Sequence, residues 1–215
     1  MKITRTFFYA PLMALLCSCG GNNGETADVA DAVADSGKNE VVEAIMARRS
    51  IRAYKDTPVE KEKLQLIAEC GINAPSGMNQ QPWEVRIVND STYINGITSV
   101  FAEANPKAVE APGFKNLFRN APAVIFVAAP DDGSGNLDCG MLGENMMLAA
   151  ESLGLGTCCL GGCISFINSY PEAAPYLDKL MIPDGYTLLY AIAVGYPDEA
   201  PEAKPRNADK VKFID

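Results

Sequence analysis

The chain has 215 residues, of which 48% are apolar and 21% charged, a balance typical of one globular domain with a sizeable core. Its formal net charge of −9, from 18 basic and 27 acidic side chains, argues against nucleic-acid binding, which needs a basic face. The absence of histidine excludes His-based triads, His general bases and imidazole metal sites. Chemistry must therefore use carboxylates, Lys, Tyr, Cys or a bound cofactor.

The first eighteen residues have the features of a secretory signal peptide. Lys2 and Arg5 precede an apolar run over residues 7–16, shorter than the roughly 20 residues that a membrane-spanning helix needs. The run ends in Leu16-Cys17-Ser18-Cys19, which resembles the signal of bacterial lipoproteins, in which the last cysteine is lipidated. An ordinary cleaved signal or a buried N-terminal segment is the alternative interpretation.

These features divide the chain into three parts. Residues 1–18 would be the signal peptide, and residues 19–38 a disordered tether, because they contain no aromatic residue and little to bury. Residues 39–215 would be the folded domain. Cys19 would carry the lipid, the only attachment of the protein to a membrane, so we expect a periplasm-facing lipoprotein of the bacterial cell envelope.

Two helices are predicted at the start of the domain. Asn39 can cap the first, whose apolar residues share one face: Val41, Val42, Ile45 and Met46. For the second helix, Thr57 is the predicted N-cap, Pro58 the first helical residue and Glu60 the end of a capping box. We expect that helix to end at Gly71.

The rest of the domain alternates between strands and helices. Apolar patterns predict a long buried helix over residues 137–153. They predict strands at 85–87, 123–129, 157–160 and 186–194, and an edge strand at 211–214. Helices separate most strands, which indicates an α/β arrangement in the broad sense with a mixed sheet.

Three arginines and a serine lie within five residues, Arg48-Arg49-Ser50-Ile51-Arg52. Guanidinium groups bind phosphate oxygens through paired hydrogen bonds, and a serine hydroxyl adds a donor, so the four polar residues are candidates for a phosphate clamp. The alternative is that the basic residues complement the dipole at the C-terminus of the first helix. In so acidic a chain, three clustered arginines favour the clamp.

A loop rich in side-chain amides follows the second helix, at residues 74–83. Pro75 and Pro82 stiffen its ends, and Gly77 allows the backbone to approach a ligand closely. Neutral donors and acceptors suited to the edge of a heterocycle are Ser76, Asn79, Gln80 and Gln81. The alternative is a structural loop whose amides cap backbone groups.

A glycine-rich stretch follows the long helix, at residues 154–162. Its glycines, Gly161 and Gly162 among them, would expose main-chain N–H groups at a strand end, a common place for ligand contact. The adjacent Cys158 and Cys159 cannot form an unstrained disulfide, so we interpret them as small apolar side chains. The cysteine spacings predict no metal site.

The fourth candidate is a basic pair near the C-terminus, Lys204 and Arg206, which alone is typical of a solvated tail. In order and spacing, however, the four segments resemble the signatures of the nitroreductase family of FMN-dependent oxidoreductases. These signatures read RRSIR with a tyrosine two residues on, APSGMNQQPW, GLGTCCLGG and KPR. The resemblance extends over residues 41–206.

The resemblance implies an α+β fold with a central mixed, mainly antiparallel sheet flanked by helices, and an intertwined homodimer with FMN at its interface. The phosphate and ribityl end would be held by Arg48, Ser50, Arg52, Lys204 and Arg206. The partner subunit would contact the isoalloxazine through Pro75, Ser76, Gly77 and Asn79. Backbone N–H groups near flavin N5 would come from Leu160, Gly161 and Gly162.

The implied activity is transfer of hydride from reduced nicotinamide through the flavin to a nitroaromatic, quinone or similar acceptor, in a ping-pong cycle. It needs no catalytic side chain, which agrees with the absence of histidine. Because reduced nicotinamide is not expected to be plentiful in the envelope, the alternative is a lipid-anchored flavin protein that relays electrons without nicotinamide turnover. Residues 95–115 would form a lid, with Tyr93, Phe101 and Phe114 as aromatic walls.

Overall fold

A four-stranded sheet forms the centre of residues 39–214, the part of the chain that the computed structural model describes. The strands are β1 (Glu84–Val88), β2 (Ala123–Pro130), β3 (Gly156–Leu160) and β4 (Tyr186–Gly195). They pair antiparallel in the order β1-β2-β4-β3. A parallel bridge between Ser50 and Thr157 adds the mixed character, and the predicted α+β fold is confirmed.

Helices cover both faces of the sheet. The longer ones are α1 (Glu40–Ala47), α2 (Lys61–Ile72), α3 (Ser91–Ala104), α5 (Asn136–Ser152) and α6 (Gly162–Ser169). The shorter ones are α4 (Pro106–Val109) and α7 (Ala174–Lys179), with 3-10 turns at Gly77–Asn79, Pro171–Ala173 and Ala208–Lys210. The predicted signal peptide, tether and Cys19 lie outside the described residues.

Strand β2 has apolar side chains in contact with helices on both sides of the sheet. Ile125 and Val127 pack in one cluster with residues of α2 and α5, whereas Val124 and Phe126 pack in another with residues of α3 and α6. All four side chains are fully buried. This two-sided burial explains why β2 is a continuous apolar run and not an alternating one.

The second helix begins and ends later than its sequence signals predict. It starts at Lys61, because buried Val59 and the carboxylate of Glu60, which accepts from the Tyr196 hydroxyl at 2.8 Å, hold the preceding residues extended. Gly71 lies inside the helix, where a Cβ would stand 2.5 Å from Met146 of α5. Its role is to permit close helix packing, and the prediction that it ends the helix is wrong.

The C-terminal segment also differs from its prediction. Residues 211–214 form no strand, and the large side chains Val211, Phe213 and Ile214 are 74%, 92% and 93% exposed. An edge strand needs a neighbouring strand with free backbone groups, and the described part of this chain pairs these residues with none. By contrast, the first helix is confirmed, with Asn39 Oδ1 accepting from the Val42 N–H at 3.1 Å.

Candidate active site

The arginine-rich segment 48–52 is held against β3 by backbone contacts. Besides the Ser50 bridge, the Ile51 N–H donates to the Thr157 carbonyl at 2.8 Å. Ile51 is buried, and a Cβ at Gly156 would stand 2.7 Å from its Cγ1. Burial of this one apolar residue fixes the position of the polar residues on either side.

The three guanidinium groups of the segment have different surroundings. Arg49 Nη1 donates to the carbonyls of Met46 and Arg48, at 2.6 and 2.8 Å, so it caps the end of α1. Arg48 Nε is buried without a hydrogen-bond partner in residues 39–214, and Glu144 Oε1 lies 3.5 Å away. Arg52 is exposed. Arg48 and Arg52 therefore keep donors available for an anion, whereas Arg49 also fits the helix-terminus interpretation.

Strand β3 runs directly into α6 through a pair of glycines. Gly161 precedes the helix and Gly162 opens it, and a Cβ at either position would meet no atom within 4 Å. The first N–H groups of a helix have no intrahelical partner and carry the positive end of its dipole. The turn that follows Leu160 thus presents backbone donors in open space.

A cavity of about 640 Å³ connects the arginine-rich segment with this turn. Arg52 forms one part of its wall, and Cys158–Cys163 form another. The remaining wall consists of Phe101 and of residues between the start of α4 and β2: Ala108, Ala111–Phe114, Asn116, Leu117, Arg119 and Asn120. The cavity therefore brings Arg52 together with the third predicted segment, whereas the other predicted clamp residues, Arg48, Arg49 and Ser50, do not line it.

Two of the three predicted aromatic wall residues line this cavity. Phe101 and Phe114 stack with ring centres 6.5 Å apart. Tyr93 does not line it, because it lies in the core, 8% exposed, with its ring against Phe126 and its hydroxyl donating to the Tyr176 carbonyl at 3.0 Å. The prediction that Tyr93 is a wall residue is wrong, since its side chain belongs to the sheet-facing side of α3.

Among the described residues, those of the amide-rich loop 74–83 lie outside this cavity. Ser76 Oγ accepts from the Gln81 N–H at 3.0 Å, and Met78 and Asn79 have φ of 51° and 57°. Of the residues predicted to contact a partner's isoalloxazine, Pro75, Gly77 and Asn79 are exposed and Ser76 is half-buried. Within one chain the loop stays apart from the arginine-rich segment, and its contribution to a partner's site remains a prediction.

Lys204 and Arg206 are exposed in the C-terminal segment, residues 197–214. Arg206 Nη1 donates to the Lys204 carbonyl at 2.9 Å. In the part of the chain that is described, no hydrogen bond or ion pair joins either residue to Arg48 or Arg52. Their role at a phosphate also remains a prediction.

The model of the nitroreductase family matches residues 45–196. The chain belongs to the nitroreductase family. The NADPH-flavin oxidoreductase of Vibrio harveyi is 32% identical over 177 residues, which cover 78% of this chain and 70% of that protein. The oxygen-insensitive NADPH nitroreductase of Salmonella typhimurium is 28% identical over 171 residues, covering 77% and 69%.

Solved nitroreductase structures share the fold of this family member. A nitroreductase with bound FMN from Bacteroides fragilis superposes with a TM-score of 0.70 at 28% identity. One with bound FMN from Desulfitobacterium hafniense gives 0.73, also at 28% identity. Each comparison covers 83% of this chain and 100% of the other.

Two charged residues at the site of this nitroreductase family member, Glu199 and Arg119, belong to no recognisable motif in the sequence. The carboxylate of Glu199 accepts from the backbone N–H groups of Arg52 and Ala53, the latter at 3.2 Å. The Asp198 N–H donates to the Ala53 carbonyl at 2.9 Å. These contacts attach the start of the C-terminal segment to the arginine-rich segment. Arg52 and Glu199 are 147 residues apart in the sequence, so no local pattern could have indicated their contact.

The cysteines around the cavity are free thiols in this family member. Cys158 is buried and Cys159 exposed, as strand alternation predicts. Burial raises the pKa of both thiols, and it raises the pKa of Cys163 to about 11. At neutral pH these groups stay protonated and are poor nucleophiles.

Residues 39–214 lack two kinds of feature. No helix there is long and apolar enough to cross a membrane. No group of three or more Cys, Asp or Glu side chains there is arranged to hold a metal ion.

Proposed function

We propose that the protein is an FMN-dependent oxidoreductase that passes electrons from reduced nicotinamide to a nitroaromatic, quinone or similar acceptor. The observation that carries the proposal is the cavity between Arg52 and the open β3–α6 turn, in a chain of the nitroreductase family. The relatives named NADPH-flavin oxidoreductase and NADPH nitroreductase support the nicotinamide donor.

The residues present fit FMN, which has a dianionic phosphate and a heterocycle with polar edges. Arg48 Nε already faces the Glu144 carboxylate at 3.5 Å, whereas the exposed guanidinium of Arg52 donates, among the described residues, only from Nη1, to the Ser50 carbonyl at 3.1 Å, and has further donors that an anionic acceptor would satisfy. The open space beside Gly161 and Gly162 leaves room for a flat ring system. The phosphate and ribityl end would be held by Arg48, Arg49, Ser50 and Arg52, with Lys204 and Arg206. The heterocycle would meet Leu160, Gly161 and Gly162, with the partner's Pro75, Ser76, Gly77 and Asn79.

When bound, FMN supplies the electron transfer that the side chains of this chain cannot perform. The chain's own residues bind and orient: the arginines neutralise the phosphate, and the turn at Gly161 supplies N–H donors that suit developing negative charge. Phe101 and Phe114 form an apolar wall that excludes water from the acceptor. The thiols that line the cavity keep their protons at neutral pH, so they add no competing nucleophile.

An absorbance spectrum of the purified protein, before and after anaerobic NADH or NADPH, tests this function. We expect the peaks of oxidised flavin, and we expect them to bleach on addition of the nicotinamide. Flavin peaks that persist would favour the alternative, an electron-relay protein with another donor. Protein that takes up no FMN, even when it is supplied, would contradict the proposed function.

A homodimer is proposed as the functional unit. The support for a dimer is that large apolar side chains are exposed in α1 and in the C-terminal segment of a single chain. In α1, Val41, Ile45 and Met46 are 66%, 50% and 70% exposed, and Phe213 and Ile214 in the C-terminal segment are almost fully exposed. Apolar surface of this extent marks an interaction surface. Sedimentation should give twice the chain mass, and Ile45→Glu should lower both dimer content and bound FMN.

The location is proposed from the N-terminal sequence alone. Lys2, Arg5, the apolar run 7–16 and the Leu16–Cys19 motif support a lipoprotein of the cell envelope, anchored through Cys19. Metabolic labelling with a radioactive fatty acid should mark the full chain, and Cys19→Ser should abolish the label. A chain that stays unlabelled and cytoplasmic would contradict the location while leaving the flavin chemistry untouched.

A further inference from the structure

The cavity has a second arginine in its wall, outside the segments assigned to the flavin. Arg119 lines it from the segment before β2, apart in sequence from Arg52 and from the β3–α6 turn. Arg119 forms no ion pair or side-chain hydrogen bond with another described residue. Its guanidinium donors are therefore available to a ligand.

The turn that carries Arg119 is held in an uncommon conformation. Arg119 and Asn120 are consecutive non-glycine residues with φ of 60° and 66°. Asn116 Oδ1 accepts from the N–H groups of Phe118 and Asn120, at 2.9 and 3.0 Å, and Asn120 Nδ2 donates to the Gly113 carbonyl at 2.7 Å. Phe118 is fully buried and anchors the turn in the core. Left-handed residues that the surroundings hold this firmly often occur at ligand clamps.

The electrostatics of the cavity favour an anion. Of the described residues that line it, two are arginines and none is acidic, although the whole chain has a net charge of −9. Burial raises the pKa of Cys158 and Cys163, and Arg119 lowers both by a smaller amount; for Cys158, Arg52 also lowers the pKa and Glu199 raises it. In the same cavity, Phe101 and Phe114 provide a stacked aromatic wall. Charge and ring surface thus line one cavity.

We propose that Arg119 selects aromatic acceptors that carry a carboxylate or another anionic group on the ring. The anion would pair with the guanidinium while the ring packs on Phe101 and Phe114. This inference rests on the proposed function, which it deepens by naming the substrate class. Arg119 is a specificity-determining residue that acts by binding, and the electron transfer itself does not depend on it.

The test compares 4-nitrobenzoate with its uncharged methyl ester as acceptors for the flavin-loaded full chain. For Arg119→Met we expect the ratio of kcat/KM values, acid over ester, to fall by about 10-fold or more, the usual size of a lost charge-assisted contact. Arg119→Lys should recover much of the ratio. Lys115→Met removes a charge from the same segment but outside the cavity, where Lys115 pairs with Asp56 at 2.8 Å, and should leave the ratio unchanged.

A titration with benzoate, which cannot be reduced, gives a second reading that needs no turnover. Calorimetry should show benzoate binding that weakens about 10-fold or more in Arg119→Met and weakens with added salt in the unchanged protein. An unchanged acid-to-ester ratio in Arg119→Met would overturn the inference. So would a loss of FMN with that ratio unchanged, which would assign Arg119 to the cofactor. Protein without flavin would overturn the proposed function, and the benzoate titration would still decide on Arg119.

Discussion

Strand β2 and the arginine-rich segment 48–52 differ in how far their side chains are buried and their polar groups hydrogen-bonded within the chain. Every residue of β2 from Ala123 to Ala129 is at most 1% exposed, and its backbone pairs with strands on both sides. The arginine-rich segment has one buried residue, Ile51, and Arg48 Nε lacks a hydrogen-bond partner among the described residues. The polar groups of β2 are paired within the chain, whereas the arginine-rich segment keeps hydrogen-bond donors that a ligand can use.

This difference indicates that stability and ligand binding depend on different residues. Changes in β2 should lower the free energy of unfolding, whereas changes to the arginines should alter binding in a chain that still folds. The arginine-rich segment meets the sheet where Ile51 packs against Gly156 of β3, so stability and binding should change together at that point. Four predictions test this separation, in order of decreasing effect.

The largest effect is expected in the core. Phe126 is fully buried, with the rings of Phe118 and Tyr93 at 5.6 and 6.2 Å. Phe126→Ala should lower the free energy of unfolding by about 3–5 kcal/mol, through lost burial and a cavity. Urea unfolding at one protein concentration measures it. Leu137→Ala, at a site 76% exposed, is the control and should change stability by less than about 0.5 kcal/mol.

The second effect is expected in binding. Replacing Arg48 and Arg206 together by Met should weaken FMN binding by about 100-fold or more, because each charge-assisted phosphate contact is worth about 1.5–3 kcal/mol. Fluorescence titration with FMN measures the change, and circular dichroism should show a folded chain. Lys61→Met with Lys179→Met removes the same charge elsewhere and should leave FMN affinity unchanged. If the double arginine variant stays yellow, the phosphate assignment is wrong.

The third effect should change stability and FMN binding together, because it lies where β3 packs on the arginine-rich segment. In Gly156→Ala the new Cβ would stand 2.7 Å from Ile51 Cγ1, so the arginine-rich segment must shift. We expect a loss of about 1–3 kcal/mol in stability, as in overpacked cores, together with weaker FMN binding. Gly140→Ala is the matched control on α5, where a Cβ meets no atom within 4 Å and should stabilise the helix by about 0.5–1 kcal/mol. Stability and affinity that changed independently in Gly156→Ala would break the proposed link.

The smallest effect is a dependence of stability on alkaline pH. Burial raises the pKa of Cys163 to about 11 from an ordinary value of 9.0, so the folded state keeps a proton that the unfolded state releases. This contribution is present below pH 9 and is lost as pH rises from 9 to 11. Cys163→Ala should show a shallower fall in unfolding free energy over that window. Equal slopes in the two proteins would contradict the raised pKa.

The sequence predicts the sheet well, because its signals are local. The apolar run of β2 and the apolar pattern of β4 each match a strand within a residue or two, and the helix at 137–153 differs from α5 by one residue at each end. These segments bury their side chains wherever the rest of the chain lies. Their patterns therefore carry the information that sets their structure.

The features that the sequence did not predict depend on distant contacts. The start of α2 is set by the bond between Glu60 and Tyr196, 136 residues apart, and overrides a good local signal at Thr57. Arg119 has no motif of its own, and it becomes visible only because Asn116 and Asn120 fold its segment back on itself. The Val211–Ile214 pattern is apolar like a strand, but it has no strand beside it in the described chain.

The Glu199 contact limits how far the basic tail can reach. Lys204 and Arg206 lie five and seven residues beyond the point where Glu199 holds the backbone of Arg52. A fully extended chain covers at most about 3.6 Å per residue, so these cations cannot move farther than about 18 and 25 Å from that point. Over such a short tether the local concentration of the two cations around the arginine-rich segment is on the order of millimolar. If a phosphate binds at Arg52, both tail cations would therefore lie within reach of it without dissociation of the tail from Arg52.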